Sequence, residues 1–253
     1  MSTPLTVIMP AYNEEEAIRE AVQDVQQHVL PLVPGAELLV VNDGSKDRTG
    51  ALLDEMAAQE PRLRVLHKPN GGHGSALIAG LGEARGEWVF LIDSDRQIPL
   101  EHFEALWIAA QGGADAAFGV RRRRYDPQVR LWLTAVIRLA LRTLFGASIY
   151  DANVPFKLFR RSTWESAAPL IPADTLAPSL FLALYIRRLG LDVDEIDVVH
   201  KERETGEVSI KRWKLIKFSA RAFRQLLAFR AGLARIRPGT APSPTLEREK
   251  AVG

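Results

Sequence analysis

Trp88-Val89-Phe90-Leu91-Ile92-Asp93-Ser94-Asp95-Arg96-Gln97 decides how this chain folds. Its five leading apolar residues read as a strand buried on both faces, and they run directly into two carboxylates. Successive side chains of an extended chain alternate faces, so Asp93 and Asp95 are expected on one side of the strand's carboxyl end, joined by Gln97 if the extension continues. Two carboxylates that close repel unless a cation or a proton intervenes. Hard oxygen ligands suit Mg2+ or Mn2+, above all where substrate phosphates complete the shell. Taken alone the motif also fits a solvated turn, since Asp and Ser are common where strands end.

Three similar units precede it. Leu5 to Met9 reads as a strand entering Pro10-Ala-Tyr-Asn-Glu14, with Asn13 placed to cap a helix containing Glu15, Glu16 and Ile18. Ala36 to Asn42 is a second strand, followed by Asp43-Gly-Ser-Lys-Asp-Arg-Thr49 and a helix marked by Leu52, Leu53 and Met56. Leu63 to His67 is a third, followed by Lys68-Pro-Asn-Gly-Gly-His-Gly74 and a helix from Ser75 to Glu83. This alternation predicts an α/β fold: a Rossmann-like, doubly wound, mostly parallel sheet with right-handed crossovers, whose ligands lie beyond the carboxyl ends of the strands. The four polar loops should therefore line one crevice.

In that order, Pro10-Ala-Tyr-Asn-Glu14, Asn42-Asp-Gly-Ser45, Asn70-Gly-Gly-His-Gly74 and Asp93-Ser-Asp95 resemble the GT-A fold of family 2 glycosyltransferases. The likeness is nearer to polyprenyl-phosphate sugar transferases of the dolichyl-phosphate mannose synthase type. It spans roughly residues 4 to 232, with the soft boundaries of a pattern reading. Asp93, Asp95 and Gln97 look like that family's metal triad, and Arg203-Glu-Thr-Gly-Glu-Val-Ser209 is similar to its Arg-x-x-Gly-x-Ser signature. The resemblance implies that Pro10 and Tyr12 line the donor's base, Glu14 accepts from a ribose hydroxyl and Asp43 accepts from a base N–H. Asn13, Asp93 and Ser94 belong to the same donor site. It also implies that Arg121, Arg130, Thr134, Arg203 and Ser209 grip an acceptor phosphate. The chain departs from the pattern at Asp151-Ala-Asn-Val-Pro-Phe156, where the family usually has Ser-Gly-Phe.

Each residue also has a plainer reading. Asn13 and Asp43 could merely cap helices. Asn70, Gly71, Gly72 and Gly74 permit close backbone approach to a donor whose phosphates Lys68 or His73 would meet, although a glycine-rich loop is weak evidence alone. Asp151 is the best-placed general base for a hydroxyl acceptor, or a structural partner of Arg130 or Arg160.

Charge divides the chain. Residues 1–120 hold 8 Lys and Arg against 18 Asp and Glu, a net −10, and residues 121–253 hold 25 against 13, a net +12. Arg121-Arg-Arg-Arg124 opens the basic half, and Arg130 to Phe145 reads as an amphipathic helix too charged to span a bilayer. From Ile210 to Arg237 basic residues interleave with Trp213, Phe218, Phe223, Leu226 and Phe229, with no acidic residue. That pattern suits an anionic membrane surface, unless the apolar stripe is core packing. Nucleic acid is disfavoured as a partner, because no helix-turn-helix, zinc or RNP pattern occurs and the acidic half would repel phosphate backbones.

The length of 253 residues and the 47% hydrophobic content fit one domain over residues 1–237, with its nucleotide-sugar and metal half at 1–120 and its acceptor half at 121–237. Residues 238–253 are expected to form a disordered tail. Cysteine is absent, which excludes disulfide and thiol chemistry. No signal peptide is read, because the first apolar run is short and lacks a basic lead.

The expected activity is inverting, metal-dependent transfer of a hexose from a GDP-mannose or UDP-glucose type donor to a polyprenyl phosphate. It would take place at the cytoplasmic membrane surface, with peripheral attachment or a separate integral-membrane anchor. The alternatives are a family 2 enzyme using a saccharide or small hydroxyl acceptor with Asp151 as base, and a non-catalytic nucleotide-sugar-binding module docked at the membrane. A sugar nucleotidyltransferase would share the alternation but should carry a glycine-rich, basic first loop, which Pro10-Ala-Tyr-Asn-Glu14 is not.

Overall fold

The computed structural model describes residues 3–121, 154–175, 177–201 and 224–234. Strand β1 (Leu5–Ala11), helix α1 (Ile18–His28), β2 (Glu37–Asn42), α2 (Thr49–Ala57), β3 (Leu63–His67), α3 (His73–Glu83) and β4 (Trp88–Leu91) follow the expected alternation. After them come, among the described residues, α4 (Phe103–Gln111), β5 (Ala116–Val120), β6 (Lys157–Arg160), α5 (Arg161–Ala167), α6 (Pro178–Leu189), β7 (Val193–Asp197) and a helix, α7, over residues 224–233.

The strands form one sheet in the order β3-β2-β1-β4-β6-β5-β7. All neighbours are parallel except β6, which runs antiparallel to both β4 and β5. The chain steps outward from β1 to β2 and β3, then returns to the other side of β1 for β4. The β1/β4 junction is thus the point where strand order reverses, the place where sheets of this type open a ligand crevice.

Continuous apolar runs build the central strands because each is covered on both faces. Leu5, Val7 and Met9 of β1, Leu38 and Val40 of β2, and Trp88 and Phe90 of β4 pack on one face with α1 and α4. Ile8, Leu39, Val41, Val89 and Leu91 pack on the other with α3 and α6. Phe90 anchors the first layer, its ring 4.8 Å from those of Phe103 and Phe156.

One expectation from the basic half is corrected. In α7, Leu226, Phe229 and Leu233 are buried in the second layer, and the Phe229 ring meets Phe181 edge-on at 4.9 Å. At residues 224–233 the apolar stripe is core packing, not a membrane face. Its period of three to four residues reports an amphipathic helix but not what covers it. The predicted helix Arg130 to Phe145, the remainder of Ile210 to Arg237 and the tail at 238–253 lie outside the described residues. Among the described residues no helix is long and apolar enough to cross a membrane.

Candidate active site

The four loops at the carboxyl ends of β1 to β4 are tied to one another. Asn13 does not cap α1, which begins at Ile18 without a side-chain cap. It sits in left-handed backbone at φ 52° and reaches across to the second loop. Its N–H donates to Ser45 Oγ at 3.0 Å, and its Oδ1 accepts from the Lys46 N–H at 2.8 Å. Glu14 N–H donates to Thr49 Oγ1 at 2.8 Å, and Arg48 N–H donates to Glu15 Oε2 at 2.9 Å. Asn, which tolerates left-handed backbone and hydrogen-bonds locally, suits this position as well as it suits a cap.

The second and third loops meet at Asp43, which is 2% exposed and likewise caps no helix. Its carboxylate accepts from Lys68 Nζ at 2.5 Å, Gly71 N–H at 3.0 Å and Gly72 N–H at 2.7 Å. Asn70 Nδ2 donates to the Asp43 carbonyl at 2.9 Å. Gly44 packs so closely that a Cβ there would lie 2.6 Å from the Asn70 nitrogen, and its φ of 69° favours glycine as well. Below them Asn42 Nδ2 donates to His67 Nδ1, which leaves His67 Nε2–H to donate to Asp54, both at 2.9 Å. Tyr12 stays 42% exposed beside these loops, open to a ring stacked on it, while Pro10 is buried at the strand end.

The fourth loop differs from its expected form. β4 ends at Leu91, and Asp93 to Gln97 is a turn in which Arg96 adopts φ 56° and Asp95 Oδ1 accepts from the Gln97 N–H at 3.1 Å. Strand alternation therefore does not bring the carboxylates together; the turn does. Asp93 Oδ1 is shut off from solvent and has no hydrogen-bond partner among the described residues. His73 Nε2, at the start of α3, lies 3.7 Å from it. Burial, opposed by His73 and reinforced by the Asp95 charge, raises the Asp93 pKa from 3.8 to about 6. A buried carboxylate oxygen left unpartnered beside a second carboxylate fits a hard divalent cation, which would satisfy that oxygen and remove the repulsion. Among the described residues no three His, Cys, Asp or Glu cluster to hold a metal, and Gln97 offers a further side-chain oxygen in the same turn.

A cavity of about 410 Å³ opens at this turn. Asp93, Asp95 and Gln97 line it together with Arg121, Phe156, His200 and Lys201. The Lys201 N–H donates to the Gln97 carbonyl at 2.8 Å, which places the chain after β7 against the Asp93–Gln97 turn. Arg121, expected at the acceptor phosphate, thus shares one cavity with the carboxylates. Arg130, Thr134, Asp151, Arg203 and Ser209 lie outside the described residues. Sequence reading missed His200, Lys201 and the fully buried Lys157, whose Nζ donates to Ser179 Oγ at 2.9 Å and to the Val154 carbonyl. The basic His200-Lys201 pair just before Arg203 was the available signal for the first two; nothing in the Phe156-Lys157-Leu158 pattern marks Lys157 as buried.

Together these features define a ligand crevice of the doubly wound type, with a two-carboxylate turn at its switch point. Residues 6–166 match the glycosyl transferase family 2 description, and the chain belongs to that family. Among curated relatives it is 29% identical over 214 residues to undecaprenyl-phosphate 4-deoxy-4-formamido-L-arabinose transferase of Pseudomonas aeruginosa (strain LESB58), covering 84% of this chain and 62% of that protein. The enzyme of the same name from Proteus mirabilis (strain HI4320) is 29% identical, with 84% and 64% covered. The chain thus spans somewhat under two thirds of the length of these relatives. Among solved structures, glucosyl-3-phosphoglycerate synthase from Mycobacterium tuberculosis, in complex with Mn2+, UDP-glucose and phosphoglyceric acid, superposes with a TM-score of 0.65 at 22% identity, covering 90% of this chain and 80% of that one. S. aureus TarS 1-349 in complex with UDP-GlcNAc gives 0.63 at 20% identity, with 88% and 66% covered. These two likenesses establish the GT-A glycosyltransferase fold.

Proposed function

We propose that this chain is an inverting, metal-dependent glycosyltransferase that moves a sugar from a nucleotide-sugar donor to a polyprenyl phosphate at the cytoplasmic membrane surface. The observation that carries the reading is the buried Asp93 oxygen, without a hydrogen bond among the described residues, beside Asp95 at the strand-order reversal and in one cavity with Arg121. The undecaprenyl-phosphate relatives support the acceptor class, and the 4-deoxy-4-formamido-L-arabinose in their name widens the expected donors from hexoses to a modified pentose. The UDP-sugars and Mn2+ bound by the structural neighbours support a nucleotide-sugar donor and a divalent ion.

In this reading Asp93, Asp95 and Gln97 hold Mg2+ or Mn2+, which when bound neutralises charge on the departing nucleoside diphosphate. Pro10, Tyr12, Asn13 and Glu14, with Asp43 at the loop junction, shape the nucleoside site. The loop at Asn70 and Gly72, fixed by Asp43 and carrying Lys68, holds backbone close to the donor. The acceptor enters from the face opposite the leaving group, so the anomeric configuration inverts. A phosphomonoester oxygen is already ionised near neutral pH, its second pKa being about 6, so Arg121 needs only to orient it and no general base is required. Arg130, Thr134, Arg203 and Ser209 would complete that grip, while Asp151 would serve as base only for a hydroxyl acceptor.

The test is transfer of label from UDP- and GDP-sugars to a short polyprenyl phosphate, with Mn2+ or Mg2+ and with EDTA. Metal-dependent label in the organic phase from one donor is the expected result. Donor hydrolysis without lipid product would overturn the acceptor, and no turnover of any donor would favour a binding module.

A further inference from the structure

Arg96 lies between Asp95 and Gln97, in the turn assigned above to the metal, and holds left-handed backbone at φ 56°. Its guanidinium leaves the turn for α1: Nε donates to Asp24 Oδ2 at 2.6 Å, Nη2 to Asp24 Oδ1 at 3.4 Å, and Nη1 to Glu20 Oε2. Glu20 and Asp24 are one helical turn apart and so present two carboxylates on the same face of α1. A guanidinium fork is suited to meet both at once, which a single ammonium is not. The loop leading into α1 is itself fastened to the second loop through Glu14, Glu15, Thr49 and Arg48. The metal turn is thus braced, through Arg96, on the helix that also carries the donor loop.

We propose that Arg96 is a positioning residue for the divalent ion, its fork holding the Asp95–Gln97 turn against α1 so that both side chains stand beside Asp93 before the ion arrives. This rests on the metal reading of that turn. Bracing and bare electrostatics make opposite predictions. Arg96 adds a positive charge near a cation site, so charge alone predicts that its removal tightens metal binding. Loss of the brace predicts the reverse.

The experiment is Mn2+ titration of the full chain by electron paramagnetic resonance, with circular dichroism to check the fold. It compares wild type, Arg96→Gln, Arg96→Lys, the Glu20→Gln/Asp24→Asn pair, and the three neutral substitutions combined. Arg96→Gln is expected to bind Mn2+ about tenfold more weakly, the usual cost of losing a group that orients a ligand. Arg96→Lys should recover part of the loss, and the combined variant should lose no more than Arg96→Gln, since all three residues form one device. Unchanged or tighter binding by Arg96→Gln overturns the proposal, as do additive losses in the combined variant; if Arg96→Gln fails to fold, Arg96→Lys against the carboxylate pair decides it. Wild type that binds no Mn2+ overturns the metal reading itself, a result distinct from either.

Discussion

Replacing Asp93 with Asn should stabilise the metal-free protein at neutral pH and do nothing at low pH. The folded protein raises the Asp93 pKa from 3.8 to about 6, chiefly by burial. A carboxyl raised on folding contributes stability that is fully present below pH 3.8 and is lost as pH rises through 6. Above that range the ionised group costs about 3 kcal/mol, at 1.36 kcal/mol per pKa unit. The side chain is 31% exposed, so solvent screening reduces the figure, and about 2 kcal/mol is the working value. For a chain of this size that corresponds to roughly 4–8 °C in Tm. The assay is thermal unfolding of wild type and Asp93→Asn in EDTA from pH 4 to pH 8. The variant's advantage should grow as pH climbs from 3.8 to about 6 and level off above it. Mn2+ added at about 100 times its Kd should then raise the wild type by about 2.7 kcal/mol, closing the gap, while the variant responds little. A variant less stable than wild type at pH 7.5 without metal, or a gap independent of pH, would refute the assignment of Asp93 as a strained, cation-seeking carboxylate.

Two further outcomes follow from packing. Gly44→Ala should abolish donor binding and cost about 1–3 kcal/mol, the usual range for overpacking, because its Cβ would fall 2.6 Å from the Asn70 backbone nitrogen at φ 69°; calorimetric titration with UDP and GDP alongside a melt checks it, and wild-type affinity would show that the two loops do not form one site. Phe229→Ala should lower stability by about 3–5 kcal/mol, as for a buried aromatic, with no direct effect on vesicle binding; a stable variant that loses its affinity for anionic vesicles would return α7 to the membrane.

The sheet was legible because its strands are unusually plain. Each of β1, β2 and β4 is a continuous apolar run ending in a polar loop, and a run buried on both faces cannot be mistaken for a half-exposed strand. The loops were legible as a set but not in their connections. Asn13 reads as a helix cap from sequence, yet it bonds across 33 residues to Lys46. Local preference for left-handed backbone is visible in an Asn; its distant partner is not. The Asp93-Ser-Asp95 motif named two carboxylates that do line one cavity, but by an incorrect route, since the strand stops at Leu91 and Arg96 turns the chain. Lys157 was invisible because lysine is rarely fully buried, and only the fold supplies Val154 and Ser179 as acceptors. In α7 the sequence shows a stripe and a charge bias, and both are compatible with either a core or a bilayer beneath it.

The two ends of the sheet treat buried polar groups in opposite ways, and that contrast locates the chemistry without recourse to any motif. At the amino ends Thr6 Oγ1 donates to Glu37 at 2.8 Å and accepts from the Gly86 N–H at 2.8 Å, while Glu37 also accepts from Arg64 at 3.1 Å. Every member of that group is satisfied, which is what stability asks of buried polar atoms. At the carboxyl ends Asp43 is equally satisfied, by a loop that it shapes, but Asp93 one strand beyond β1 is not. Among the described residues the fold brings His73 only to 3.7 Å of Asp93, beyond hydrogen-bond distance, sets a second carboxylate beside it and braces that turn with Arg96. An arrangement that lowers stability at the strand-order reversal, while the buried carboxylates of Glu37 and Asp43 are hydrogen-bonded, is what the proposed metal site requires: the ligand supplies the missing partner when it binds.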